Sequence, residues 1–308
     1  MKSLITGCAG FIGSHLSEAL LKSGHKVVGI DCFTDYYPRK VKEANIRTII
    51  SDKNFDFHET DVLDLNVSIL KDVDYVFHLA AQPGVRRSWE YFESYVKNNI
   101  SATQRLLDVC KDFPIKRFVF ASSSSVYGNA IPMKESSEPQ PLSPYGITKL
   151  ACEKLCSLYF NSYNVPVVTL RYFSVYGPRQ RPDMAIGIFI SKIMKGEKIT
   201  IFGDGKHMRD FTFVEDVVEA TILAAKKKCV GEIINIGNGK PVRLNDAIRI
   251  IDELTGKKAF VEYTDKQKGD AENTCADISK AEKTLGYIPK TDFRTGLKSQ
   301  LAVLGLNK

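Results

Sequence analysis

Short apolar runs recur along the first half of the chain, and between them apolar positions return every three or four residues. Residues 3–6 (SLIT) read as a strand and residues 13–23 as a helix. Further strand-like runs fall at 26–30, 55–59, 75–79, 117–121 and 167–171. Nearly continuous apolar strands separated by helices predict a parallel sheet covered on both faces. Beyond Arg171 the pattern changes. RYFSVYGPRQRPDM, with two prolines and a glycine, reads as a loop, and IGIFISKIMK as a helix ended by Gly196. KITIFGDGKHMRDFTFV reads as two short strands around the turn at 203–205, and 214–226 as a helix that returns to the first region. A helix at 244–254, a strand at 259–263, a loop and short closing helices follow. The expected fold class is α/β, with two interleaved lobes and no repeat or low-complexity linker. Residues 1–172 plus about 213–236 form a doubly wound parallel sheet, and about 173–212 plus 237–308 a smaller α+β lobe.

Composition narrows the class. Of 308 residues, 44% are apolar and 26% charged, a globular, water-soluble balance. The net charge of +7 is spread out, and its densest run, Lys226-Lys227-Lys228, reads as a solvated helix end rather than a nucleic-acid site. A modest positive excess suits an anionic small substrate. Seven cysteines (Cys8, Cys32, Cys110, Cys152, Cys156, Cys229 and Cys275) lack metal-ligand spacing, and no metal is expected. They read as buried free thiols of a reducing compartment. No run is apolar and long enough to cross a membrane, and MKSLITGCAGFIG enters a strand and a glycine turn directly. A cytoplasmic protein is expected.

That glycine turn carries the first chemistry. TGCAGFIGSHL places Gly7, Gly10 and Gly13 between the first strand and the first helix. The first glycine permits a tight turn, the second lets the backbone approach a pyrophosphate, and the third lets helix pack on strand. The helix start then turns unpaired N–H groups towards phosphate. The spacing G-x-x-G-x-x-G is one residue longer at its start than the usual dinucleotide fingerprint. Asp31 closes the second strand, where an acid takes the ribose hydroxyls of NAD and repels the extra phosphate of NADP. Strand, turn, helix and acid together predict a Rossmann-type NAD site.

The second chemistry is the stretch PLSPYGITKL. Tyr145 stands four residues before Lys149, so a helix puts both on one face. Alone, that pair is equally a core residue beside a surface residue. A free phenol ionises only near pH ~10, but neighbouring cations favour the phenolate. Such a phenolate accepts a proton from a sugar hydroxyl while the carbon is oxidised. Ser122-Ser123-Ser124 follows a strand ahead of the pair and offers a hydroxyl to steady the reacting oxygen.

With TGCAGFIG, HLAAQ, NNISAT, SSSSVYG, YGITK, RYFSVYGPRQRPDM, RDFTFVEDV and GDAENTCADISKA spread over nearly its whole length, the chain resembles the extended short-chain dehydrogenase/reductases, within the nucleotide-sugar epimerase and dehydratase group. The resemblance implies Ser123, Tyr145 and Lys149 as the catalytic set, with Lys149 also on the nicotinamide ribose. It adds Phe11 and Ile12 to the glycine turn, Asp61 and Val62 at the adenine, Leu79, Ala80 and Ala81 along the middle of the cofactor, and Asn99 in the cofactor-side network. On the substrate side it implies Ser122, Phe173 and Ser174 near the sugar, Arg209 on the diphosphate and Asp270 on the uridine ribose. Gln267 stands where relatives often have arginine, and Ala102 where many have glycine. A homodimer is implied, packed through helices near 94–111 and 144–160.

The same resemblance separates reactions. Dehydratases resemble T-D-E-V-Y-G after the catalytic hydroxyl's strand, and UDP-glucuronate decarboxylases S-E-V-Y-G. Here Ser124 and Ser125 precede Val126-Tyr127-Gly128, with no carboxylate. Loss of water needs a donor and an acceptor beyond the tyrosine. Oxidation and re-reduction at sugar carbon 4 remains, which is 4-epimerisation of a UDP-hexose. Decarboxylation or dehydration, and a non-catalytic dinucleotide sensor, stay as alternatives, although a sensor predicts a broken catalytic set. For the sugar, Thr274 falls at a gatekeeper position where a small residue leaves room for an N-acetyl or other large group. Arg181 matches an arginine that faces the carboxylate in UDP-glucuronate 4-epimerases. UDP-N-acetylglucosamine, UDP-glucuronate and UDP-glucose all remain open at this point.

Overall fold

The computed structural model of the chain describes residues 1–265, 269 and 271–306. The first lobe alternates strand and helix: β1 (Lys2–Thr6), α1 (Phe11–Lys22), β2 (Lys26–Asp31), α2 (Arg39–Ile46), β3 (Phe55–Glu59) and β4 (Tyr75–His78). It continues with α3 (Phe92–Tyr95), α4 (Ala102–Cys110), β5 (Arg117–Ser123), α5 (Pro144–Tyr163) and β6 (Val167–Tyr172). The second lobe takes β7 (Ser174–Tyr176), α6 (Ala185–Lys195), β8 (Lys198–Phe202), β9 (Met208–Arg209) and β10 (Phe211–Phe213). The chain returns through α7 (Val214–Lys226) and β11 (Ile233–Ile236), then adds β12 (Val242–Arg243), α8 (Leu244–Thr255), β13 (Phe260–Thr264), α9 (Ser279–Leu285) and α10 (Phe293–Val303).

The central sheet is parallel throughout, in the order β11-β6-β5-β4-β1-β2-β3. Chain order reverses between β1 and β4, so a crevice opens at the carboxyl ends of these strands, where α/β sheets bind ligands. One apolar cluster covers one face, joining Ile5, Leu16 and Leu20 to Val217 and Ala220 of α7. Another covers the opposite face, joining Leu4 and Val76 to Leu106, Cys152 and Cys156 of α4 and α5. The smaller lobe has its own core of Ile186, Phe189, Ile190, Ile199, Phe211, Ile248 and Leu297.

The predicted doubly wound sheet and the interleaving are present, with four differences. A seventh strand, β11, joins the sheet from the short apolar run inside GEIINIG. The loop after Arg171 contains β7, and the stretch around 203–205 holds three strands rather than two. Those three do not pair with one another: β8 pairs with β13, β9 with β12 and β10 with β7. Residues 279–287, expected in the smaller lobe, place Ala281, Leu285 and Tyr287 in the core of the sheet lobe. Among the thiols, Cys32 is exposed and Cys275 half-buried, so burial holds only for the other five.

Candidate active site

One cavity of about 970 Å³ runs from the carboxyl ends of β1 and β2, across β4 and β5, to the loops of the smaller lobe. That is the size of a site for one or two small ligands. Gly7, Gly10, Phe11, Ile12, Gly13, Asp31, Asp61, Val62, Leu79, Ala80 and Ala81 line one end. Ser122, Ser123, Tyr145, Lys149, Phe173, Ser174, Arg181 and Arg209 line the other, so nearly every residue expected from the sequence meets in one place.

The glycine turn is built as the sequence required. Gly7 has φ +73, and a Cβ on it would lie 2.8 Å from the backbone N of Ala80. At Gly13 a Cβ would lie 2.1 Å from the carbonyl oxygen of Gly7, so a side chain there would push the turn off the helix. Gly7 donates its N–H to the Ile30 carbonyl at 2.7 Å, which ties the turn to β2. Asp31 then braces both: Oδ2 accepts from the Ala9 N–H (3.1 Å) and Oδ1 from the Phe33 N–H (2.9 Å). Burial pushes its carboxyl above the usual carboxylate range, against the pull of those amides and of Lys42. Each oxygen retains a lone pair for a ribose hydroxyl. Asp61 caps the turn after it, accepting from the Leu63 N–H at 3.0 Å.

The loop after β4 is held from below. Thr6 Oγ1 meets His78 Nδ1 at 2.7 Å, and His78 Nε2 meets Thr103 Oγ1 at 3.0 Å. Burial, with the Lys149 cation nearby, drives the His78 imidazole down to about 3, so it is neutral. Thr6 Oγ1 also accepts the Ala80 N–H at 3.2 Å. Asn99 does not reach the cavity wall. It is buried in a π-helical turn at Val96–Ser101 that divides the helix expected near 94–111. Its side chain accepts from the Gln82 N–H (2.7 Å) and donates to the Gln82 carbonyl (3.2 Å) and Thr148 Oγ1 (3.0 Å). It therefore joins the cofactor-side loop to α5.

That helix, α5, starts where Ser143 caps the Gly146 N–H and Pro144 occupies the first turn. Tyr145 and Lys149 then project together into the cavity. Lys149, buried, donates Nζ–H to the Ala121 carbonyl at 2.8 Å, which fixes the ammonium beside the end of β5. The Tyr145 ring meets Tyr95 edge-on at 6.2 Å. The Ser123 hydroxyl donates to Ser125 Oγ at 3.1 Å and accepts the Ser125 N–H at 3.1 Å. β5 turns the Ser122 hydroxyl towards α5, where it donates to Glu153 Oε1 at 2.5 Å. Glu153 in turn is forked by Arg171 (2.9 and 2.7 Å), both fully buried. The Ser122 hydroxyl thus serves a buried ion pair, while the residue also lines the cavity.

In the smaller lobe, Arg209 donates from NH1 to the Met208 and Glu272 carbonyls at 2.9 and 3.0 Å, which stretches it along the cavity. Arg181 is forked by Asp183, Nε to Oδ1 at 3.0 Å and NH2 to Oδ2 at 3.1 Å. Thr274 stands behind the wall. Its N–H donates to the Met208 carbonyl and its Oγ1 accepts the Asp210 N–H at 2.9 Å, while its neighbour Asn273 lines the cavity. The residue is thereby bound to the backbone at Met208 and Asp210. Asp270 and Gln267 lie outside the described residues.

The motifs did not mark Tyr36, Tyr37 and Lys42, which also line the cavity, nor Arg86, Arg87 and Asp183. The aromatic pair Tyr36-Tyr37, shortly after the strand-end acid in DCFTDYYPRK, was the available signal.

The model of the NAD dependent epimerase/dehydratase family matches residues 3–237. A UDP-glucuronate 4-epimerase of Thermodesulfobacterium geofontis is 43% identical over 304 residues, covering 96% of this chain and 93% of that protein. A crystal structure of UDP-glucuronic acid 4-epimerase from Bacillus cereus, in complex with UDP-glucuronic acid and NAD, superposes with TM-score 0.96 at 44% identity, covering 99% of both chains. A UDP-N-acetylglucosamine 4-epimerase from Methanobrevibacter ruminantium, in complex with UDP-N-acetylmuramic acid, gives TM-score 0.92 at 36% identity, covering 98% and 97%.

Proposed function

The chain belongs to the NAD dependent epimerase/dehydratase family, and we propose that, as an NAD-dependent UDP-sugar 4-epimerase, it acts by preference on UDP-glucuronate. The cofactor end fits a dinucleotide: a tight turn that a single Cβ at Gly7 or Gly13 would push apart, a helix N-terminus behind it, and Asp31 at the ribose position. Gly10, Phe11 and Ile12 would hold the pyrophosphate, Asp31 the adenosine ribose, Asp61 and Val62 the adenine, and Lys149 the nicotinamide ribose. NAD, when bound there, supplies a reversible hydride acceptor for sugar carbon 4.

The chain's own residues do the rest. Tyr145 Oη takes the proton of the sugar's 4-hydroxyl and later returns it. Lys149, tethered to the Ala121 carbonyl, stands one helix turn from Tyr145. Ser123 steadies the reacting oxygen. The loop after β5 offers only the hydroxyls of Ser124 and Ser125, so no acid there assists elimination or decarboxylation. Arg209 would anchor the diphosphate, leaving the sugar free to turn about that link and present either face of carbon 4 to the cofactor.

The observation behind the choice of sugar is Arg181. It lines the same cavity as Tyr145, close enough for the two to interact electrostatically, and a guanidinium pairs well with a uronate carboxylate. The test is proton NMR of product after incubation with UDP-glucuronate, UDP-N-acetylglucosamine and UDP-glucose in turn. UDP-galacturonate should form fastest. Faster turnover of a neutral sugar removes the sugar assignment, and a UDP-pentose product would mean decarboxylation.

We also propose a homodimer in the cytoplasm. Ile147 and Leu158 on α5 are 52% and 56% exposed, which suits a second copy of the same helix. None of the seven thiols is bonded, which suits a reducing compartment. Light scattering that gives a monomer at working concentration removes the dimer. Among the described residues no helix is long and apolar enough to cross a membrane.

A further inference from the structure

The segment TDYYPRK (34–40) leaves the adenosine end of the cavity, yet Tyr36 touches groups of the sugar end. Its hydroxyl donates to Asp183 Oδ2 at 3.1 Å, the same oxygen that accepts from Arg181 NH2. Two guanidiniums lie over its ring, that of Arg87 at 4.8 Å and that of Arg181 at 5.7 Å from its centre. The phenol rests over Gly84, where a Cβ would lie 2.1 Å from the hydroxyl oxygen. Tyr95, which meets the Tyr145 ring, donates to the Pro83 and Gly84 carbonyls and so fixes the floor on which Tyr36 sits.

These contacts bear on an arginine. A loop guanidinium has several rotamers, and a carboxylate two residues away on the same loop can swing with it. Here Asp183 engages Nε and NH2, which leaves NH1 outside the fork. What stops Asp183 from moving with Arg181 is the hydroxyl of Tyr36, which comes from the other lobe. We propose that Tyr36 and Asp183 are positioning residues for Arg181, a proposal that rests on Arg181 being the contact for the sugar carboxylate. Tyr36 belongs to the loop that follows Asp31. The lobe that holds the cofactor therefore sets the geometry of the sugar-reading side chain.

The test is Tyr36→Phe, which deletes one oxygen and keeps the ring. KM for UDP-glucuronate should rise about tenfold, the scale of one hydrogen bond to a charged group. kcat, NAD affinity and the melting temperature should stay near the parent values, a split that general loosening of the fold would not give. In an Arg181→Ala background the same substitution should change KM less than about twofold, because the group it positions is gone. An equal KM effect in both backgrounds overturns the proposal, as does an unchanged KM in the parent or a matching loss of NAD affinity. Failure of the sugar reading shows separately. Arg181→Ala would then harm all UDP-sugars alike, while non-additivity with Tyr36→Phe on the best-used sugar would still decide the positioning role.

Discussion

At the cofactor end of the cavity the wall is backbone. Gly7, Gly10 and Gly13 come from one short loop, and what matters there is atoms that are missing: a Cβ at Gly13 would lie 2.1 Å from the Gly7 carbonyl oxygen. At the sugar end the wall is side chains. Ser123 comes from β5, Tyr145 and Lys149 from α5, Arg181 from the loop after β7, Arg209 from β9 and Tyr36 from the loop after β2. A backbone wall recognises a constant ligand and tolerates no added atom. A side-chain wall is retuned by single substitutions that leave the fold alone. The comparison teaches where a change removes all function and where it redirects it.

The largest expected effect lies at the meeting of the two ends. Tyr145→Phe removes only the proton-accepting oxygen, so kcat should fall about 10²–10⁴-fold, the scale of general acid–base catalysis. NAD affinity and melting temperature should hold, as checked by cofactor titration and calorimetry. Turnover within tenfold of the parent would mean another base. Next comes Gly13→Ala. With a backbone oxygen in the way, the turn itself must move, at a cost of about 1–3 kcal/mol or more. NAD titration should show at least a tenfold loss, and whatever activity remains should keep the parent's ranking of sugars. A changed ranking would mean the two ends are less separate than their construction indicates.

The cofactor end was legible in the sequence because its parts are local. Strand, three glycines and helix follow one another, and Asp31 falls one strand later, so spacing alone placed them. The placement of Tyr145 and Lys149 in one cavity was legible for the same reason, since one helix turn brings Tyr145 over Lys149. The sugar end was less so. Thr274 and Arg181 were placed by resemblance, and only Arg181 lines the cavity. Thr274 and Asp210 are bonded across residues distant in the chain, a pairing that periodicity does not reveal. Tyr36 and Asp183 were missed because they matter only as a pair, and no local pattern links positions in different lobes. The bond from the Ser122 hydroxyl to Glu153, on the following helix, is likewise a pairing that spacing does not reveal.

A smaller effect should appear with acid, at the seam between the two ends. His15 on α1 bonds through Nε2 to the Pro178 carbonyl at 2.9 Å, and Arg179 NH2 lies 2.8 Å from Nδ1. Burial and the Arg179 cation lower this imidazole from 6.5 to about 4, so the native protein keeps it neutral. The unfolded chain takes up its proton below 6.5 and the native chain does not, so this stability is complete above 6.5 and is lost as pH falls towards 4. Between pH 6.5 and about 5 the loss should approach 2 kcal/mol, on the order of 1.4 kcal/mol per pH unit. Asp31 and Asp210, raised by burial, oppose it at the acid end, so the effect is cleanest just below 6.5. Urea melts across that range should show a shallower pH slope in His15→Asn than in the parent. An identical slope would place the titrating group elsewhere.

The smallest effect separates a fold residue from a wall residue. Thr274 Oγ1 accepts the N–H of Asp210, a residue whose own carboxylate gathers the amides of Asn238, Gly239 and Ala276. Thr274→Val keeps the shape and removes the acceptor, leaving one buried N–H unpaired, at about 1–3 kcal/mol. Thermal melts should record that loss. Because the side chain stands behind the wall, the relative kcat/KM values for UDP-glucuronate, UDP-N-acetylglucosamine and UDP-glucose should stay in the parent's proportions. A selective change for one sugar would return Thr274 to the pocket and make the sugar end deeper than its lining residues describe. An unchanged ratio with a lowered melting temperature leaves Arg181, and the pair that holds it, to choose the sugar.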